Sequence, residues 1–195
     1  MDKKDILKTI SPERTIFLDG EICFEKSNEL VRKFFEMGQK SDRPIAIYFN
    51  TPGGDSSAAL KIYDNIERLK NTYGIIVVGV VTANLYSAGM FPFVVCTKGY
   101  RFSLQHSKFY IHQPDQDVTY KINSSTLMLS VTQDLEKRIR ETVLCKEAIT
   151  KLLLSKTEIG EANLRNLFIA GGYFDAEAAK TMGIIDEIIQ EQEKS

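Results

Sequence analysis

Hydrophobic positions along this chain switch between two periods. Short β-branched or aromatic runs at Thr15–Leu18, Ile45–Phe49, Phe109–Ile111 and Ile184–Ile189 predict strands. Ile75–Val81 is apolar almost throughout, the pattern of a strand covered on both faces. Between these runs the period lengthens. Leu30, Val31, Phe34, Phe35 and Met37 share one face of a helix, and Ala59, Ile62, Tyr63, Ile66 and Leu69 share another. From about Ser125 to Ser155, Val131, Leu135, Ile139 and Val143 recur every fourth residue with Lys, Arg and Glu opposite them. That spacing predicts one long amphipathic helix, able to leave the body of the domain as an arm. Asp175 ahead of Ala176–Ala179 reads as a helix N-cap, and Gly183 as the stop of that helix. Strands alternating with helices in this way give an α/β fold.

Composition narrows the classes. A length of 195 residues fits a single domain spanning residues 1–195 and a core large enough to need no disulfide or metal staple. Residues 1–12 are expected to form a flexible N-terminal segment, and Glu191–Ser195 a frayed end. A formal net charge of −1 offers no electrostatic attraction for nucleic acid or for an anionic membrane. The start of the chain lacks an apolar core of signal-peptide length, and the longest apolar run falls far short of the roughly 20 residues of a membrane span. A soluble, cytoplasmic protein is therefore expected. Cys23, Cys96 and Cys145 are odd in number, far apart and outside any CxxC spacing, so they read as buried thiols of a reducing compartment. No cofactor and no metal is expected.

Three local patterns carry candidate chemistry. Asn50-Thr51-Pro52-Gly53-Gly54 joins a strand to a helix; its paired glycines allow a turn with outward N–H groups near a helix N-terminus. By itself such a turn is more often structural. Tyr86-Ser87-Ala88-Gly89-Met90 follows the buried run and a loop at Thr82–Leu85, and sets a serine among small residues at the mouth of a helix. A substrate carbonyl can approach a serine so placed, with the Ala88 N–H facing the developing oxyanion. Tyr110-Ile111-His112-Gln113-Pro114 ends a strand on a histidine, while His106 falls in a polar turn and reads as solvated.

Taken together these patterns resemble the Clp protease proteolytic subunit, a member of the crotonase-like fold, from about Glu13 to Ile189. The likeness rests on Arg14–Gly20, Tyr48–Gly54, Ile62–Asp64, Ser87–Gly89, Ile111–Pro114, Ala176–Ala179 and Gly183–Asp186. The interval of 112 − 87 = 25 positions between Ser87 and His112 is similar to the family's as well. The resemblance implies a serine endopeptidase with Ser87 as nucleophile, His112 as general base, and the Gly54 and Ala88 N–H groups as oxyanion hole. It further implies stacked rings of identical subunits, unfolded polypeptide as substrate, and an ATP-driven unfoldase as partner. The long helix would then serve ring-to-ring contact.

The likeness breaks at one place. The family sets an Asp shortly before the helix that begins near Ala176, and the matching position here is Gly171. Asp115, Asp117, Glu161, Asp175, a backbone carbonyl, a water or a neighbouring subunit are left as candidates to orient His112. The stretches from Asp64 to Ser87 and from His112 to the last helix, the latter around Val118–Leu127 or within the long helix, are also longer than the family pattern. Two further readings are open, the second of which would use only the Gly54 and Ala88 N–H groups, to hold a thioester enolate. One is a weak or silent Clp-like subunit kept for assembly, motivated by Gly171. The other is an acyl-CoA enzyme of the crotonase type, which needs neither Ser87 nor His112.

Overall fold

Each apolar run of the sequence becomes part of one hydrogen-bonded sheet, and each amphipathic stretch a helix laid on it. The structure, a computed structural model, describes residues 3–114 and 128–189. In its first half α1 is Ile6–Thr9, β1 Thr15–Asp19, α2 Phe24–Lys40, β2 Ile45–Thr51, α3 Ser56–Tyr73 and β3 Val77–Tyr86. There follow α4 Met90–Val94, β4 Arg101–Leu104, β5 Lys108–Ile111, α5 Met128–Lys156, α6 Glu161–Ala170, β6 Gly172–Asp175, α7 Ala176–Thr181 and β7 Glu187–Ile189. The strands run β1-β2-β3-β4-β7, all parallel, while β5 pairs in parallel with the end of β3 and antiparallel with β6.

Strand alternation divides the core into two. Ile45, Ile47, Phe49, Val77 and Val81 face the main cluster with Leu30, Phe34, Ile62 and Ile66 from α2 and α3. Ala46, Val78, Val80 and Phe102 face the other side, where Ile6, Leu7 and Ile10 from the start of the chain pack on them. Val77–Val81 is buried throughout, as a strand covered on both faces requires.

Three differences from the sequence-based expectations have physical causes. Thr82–Leu85 is not a loop: β3 continues through it to Tyr86, because Asn84–Tyr86 find new partners in β5 when β4 ends. The polar residues there hide the strand from any apolar pattern. β4 and β6 went unpredicted, since one opens on Arg101 and the other on Gly172, and both draw their stability from pairing rather than composition. Of the three thiols only Cys96 is fully buried, and burial pushes it up to about 12. The long helix is present as α5. Its residues Ile149, Leu152 and Leu153 are in the core, whereas Leu135, Ile139 and Val143 are exposed.

Candidate active site

β3 is the longest strand, and its far end delivers the serine. Pairing shifts register between Phe49 and Thr51 of β2, bringing Thr51 opposite Leu85 and the turn after β2 level with the end of β3. The Thr82 hydroxyl donates to the Phe49 carbonyl at 3.2 Å across that irregularity. Ser87 then turns sharply with φ of 50°, the one positive φ at a non-glycine position among the described residues. A left-handed backbone costs a β-carbon residue about 1–2 kcal/mol, and it persists only where surroundings impose it. Ser87–Gly89 form a single 3-10 turn leading into α4, so the Ala88 N–H lies in a first turn with no intrahelical acceptor behind it.

The glycine turn closes on that serine from the side. Gly53 has φ of 96° and Gly54 φ of 137°, both outside the range of ordinary side chains. A β-carbon added at Gly53 would sit 2.9 Å from Ser87 Cβ and 3.0 Å from the Ala88 nitrogen. One added at Gly54 would run into the Ile22 carbonyl. Ile22 fastens the turn by donating to the Gly53 carbonyl at 2.7 Å and accepting from Asp55 N–H at 2.8 Å, an exchange in which the Gly54 N–H takes no part. The buried Thr51 hydroxyl accepts from Gly53 N–H at 3.1 Å. Asp55 caps α3 through its Oδ1, which accepts from Ala58 N–H at 2.7 Å.

His112 arrives from β5. Its Nε2 lies 2.7 Å from Ser87 Oγ, and both residues are partly buried. That separation is within the reach required of a hydroxyl and the base that takes its proton. Four residues singled out from the sequence, Gly54, Ser87, Ala88 and His112, therefore converge on one corner of the sheet. His106 lies apart in an exposed turn.

The candidate acids sort as follows. Gly171 ends α6 with φ of 67° and precedes Gly172, which pairs with Ile111; the antiparallel register thus carries Gly171 alongside His112. Asp175 is the N-cap of α7, its Oδ1 accepting from Ala178 N–H at 2.9 Å. Glu161 is exposed in the first turn of α6, beside Lys146, Leu164 and Arg165. Asp115, Asp117 and the segment Val118–Leu127 lie outside the described residues. Among the described residues no cluster of metal-ligating side chains occurs.

A cleft of about 590 Å³ opens beside Gly54, bounded by Gly54, Asp55, Ser56, Pro114, Glu141 and Cys145. Half-burial raises the Cys145 thiol and keeps it protonated, although Ser56 opposes the shift, so it is a poor rival nucleophile. Sequence reasoning missed a set of aromatic neighbours. Tyr110 stacks on His112, with Tyr86 and Tyr173 against it. No local signal marks them, since the strand pairing that gathers these rings joins positions far apart in the chain.

Comparison with known proteins gives the chain a family. A family model described as Clp protease matches residues 1–192. The chain is 31% identical over 192 residues to the ATP-dependent Clp protease proteolytic subunit 2 of Prochlorococcus marinus (strain NATL2A), spanning 98% of this chain and 90% of that one. It is also 31% identical over 186 residues to the ATP-dependent Clp protease proteolytic subunit 3 of Synechococcus sp. (strain CC9605), spanning 95% and 86%. Among solved structures, a mutant ClpP1 from Listeria monocytogenes superposes with a TM-score of 0.77 at 25% identity, over 92% of this chain and 93% of that one.

Proposed function

This chain belongs to the Clp protease family, and on that footing we propose that it is a serine endopeptidase subunit working through an acyl-enzyme on Ser87. The observation that carries the reading is the 2.7 Å contact between Ser87 Oγ and His112 Nε2. A serine hydroxyl is a weak nucleophile until an imidazole accepts its proton during attack.

On this reading each group has one task. Ser87 Oγ bonds to the scissile carbonyl carbon while its proton passes to His112 Nε2. The carbonyl oxygen becomes an oxyanion, received by the N–H groups of Gly54 and Ala88. His112 Nε2–H then protonates the leaving amine as the C–N bond breaks. Water repeats the sequence on the ester: its proton goes to His112, its oxygen to the acyl carbon, and Ser87 recovers its hydrogen. The N-terminus of α3, beside Gly54, adds a favourable partial positive charge. An extended polypeptide would lie in the cleft between Gly54 and α5.

Resemblance to the family implies the setting. Rings of identical subunits would enclose the sites, an ATP-driven unfoldase would feed them, and the cytoplasm would hold the assembly. Neither the family nor the site calls for a metal or cofactor. Among the described residues no helix is long and apolar enough to cross a membrane. Turnover of a fluorogenic peptide and of an unfolded protein tests the activity. Ser87→Ala and His112→Ala should each lower kcat by about 10⁴- to 10⁶-fold without loss of assembly. Unchanged turnover in Ser87→Ala would refute the acyl-enzyme.

A further inference from the structure

We propose that Tyr110 is a positioning residue for this reaction, holding the His112 imidazole in its plane by ring stacking. The inference rests on the serine-peptidase reading above and concerns how its base is kept in register. Tyr110 lies on β5, and His112 comes two positions later, directly after the strand's last residue Ile111, where its ring meets that of Tyr110. Their ring centroids are 5.2 Å apart with planes 21° from parallel. Tyr110 is itself braced. Tyr173, its directly paired residue on β6, stacks on it at 4.3 Å and 26°. Tyr86, its paired residue on β3, stands edge-on to both tyrosines, at 6.2 Å and 80° from Tyr110 and 5.7 Å and 88° from Tyr173. Ser87 directly follows Tyr86 in the chain, so one row of three aromatic rings touches the base and adjoins the nucleophile.

Gly171 is what admits this row. A β-carbon there would lie 2.7 Å from the Tyr110 hydroxyl oxygen and 3.3 Å from two ring carbons. Any side chain at 171 would push the Tyr110 ring out of its place beside the imidazole. The absence of a carboxylate at Gly171 and the presence of a large ring at Tyr110 are thus one arrangement. The ring also offers its face to the imidazolium formed when Nε2 takes the serine proton, a favourable placement for a cation. Both effects belong to the ring face and not to the hydroxyl.

The test is peptide hydrolysis by the full-length assembled protein, with kcat and KM separated for wild type, Tyr110→Phe, Tyr110→Leu and a Ser87→Ala control. Tyr110→Leu should lose about 10- to 100-fold in kcat with KM within about twofold, the pattern of a misheld base rather than of weaker binding. Tyr110→Phe, which restores the ring, should stay within about threefold of wild type. If Tyr110→Leu does not assemble, Tyr110→Ile, which favours strand, is read by the same criteria. Full kcat in the aliphatic variant, or an equal loss in Tyr110→Phe, overturns the positioning role and leaves the peptidase reading standing. Wild-type turnover that persists in Ser87→Ala overturns that reading and the positioning role with it.

Discussion

At the scale of residues, the strained φ of 50° at Ser87 is held by what packs around it. Gly53 lies flat against the serine turn, and no other residue fits: φ of 96° excludes side chains, and a β-carbon would press on Ser87 Cβ and the Ala88 nitrogen. Gly53→Ala should therefore cost about 1–3 kcal/mol in thermal unfolding and about 10²-fold or more in peptide turnover. A variant as active and stable as wild type would mean that the turn gives way easily. Ser87, His112 and the two glycines were legible in the sequence because each sits where a strand ends, and strand ends are visible in the hydrophobic pattern. Tyr110 was not, because its role comes from pairing with Tyr86 and Tyr173, residues 24 and 63 positions away in the chain. Local periodicity carries no record of such partners.

At the scale of elements, buried charges fasten what the apolar pattern leaves loose. Arg101 opens β4 with only 1% exposure and meets Asp186, just ahead of β7, at 2.6 Å. Asp186 also accepts from Gly99 and Arg101 N–H at 2.6 and 2.9 Å, and Arg101 Nη1 donates to the Lys156 carbonyl at the end of α5. Burial by itself raises the Asp186 carboxyl, but the hydrogen bonds and charge of Arg101 outweigh it and hold the group below the usual range. A carboxyl lowered in the folded state stabilises fully above its unfolded value and loses that contribution as pH falls through the folded one. Asp186→Ala should cost about 3–5 kcal/mol at neutral pH by leaving Arg101 buried alone. Its unfolding temperature should also fall less steeply than that of wild type as pH drops below about 4. Parallel acid profiles in the two proteins would contradict this. Asp175 is a milder case, legible from sequence: Asp175→Ala should cost about 1 kcal/mol through the lost cap of α7, measured by chemical denaturation. Asp186 stood in a recognised motif, yet nothing in the sequence paired it with Arg101, 85 positions away.

At the scale of the whole molecule, α5 is anchored in the core only at its C-terminal end, through Ile149, Leu152 and Leu153. At 29 residues it is about 43 Å long, and no described position before Ile149 is buried. Leu135, Ile139 and Val143 form an exposed apolar line on it, which the four-residue repeat of the sequence foretold as a stripe but could not assign to core or contact. The proposed ring-to-ring role gives that line an occupant, so Ile139→Glu should shift the sedimenting species to smaller size while leaving the fold of each subunit intact by circular dichroism. Assembly and chemistry meet at Gln113, whose side chain accepts from Lys146 on this helix at 3.1 Å, next to His112. The hydroxyl that begins the chemistry offers the most direct test. Treating the native assembly with a fluorophosphonate and mapping the adduct by mass spectrometry should find the phosphonyl group on Ser87, with labelling abolished in Ser87→Ala and strongly slowed in His112→Ala. A folded, assembled protein that takes up no label at Ser87 would contradict the pairing of nucleophile and base on which the account depends.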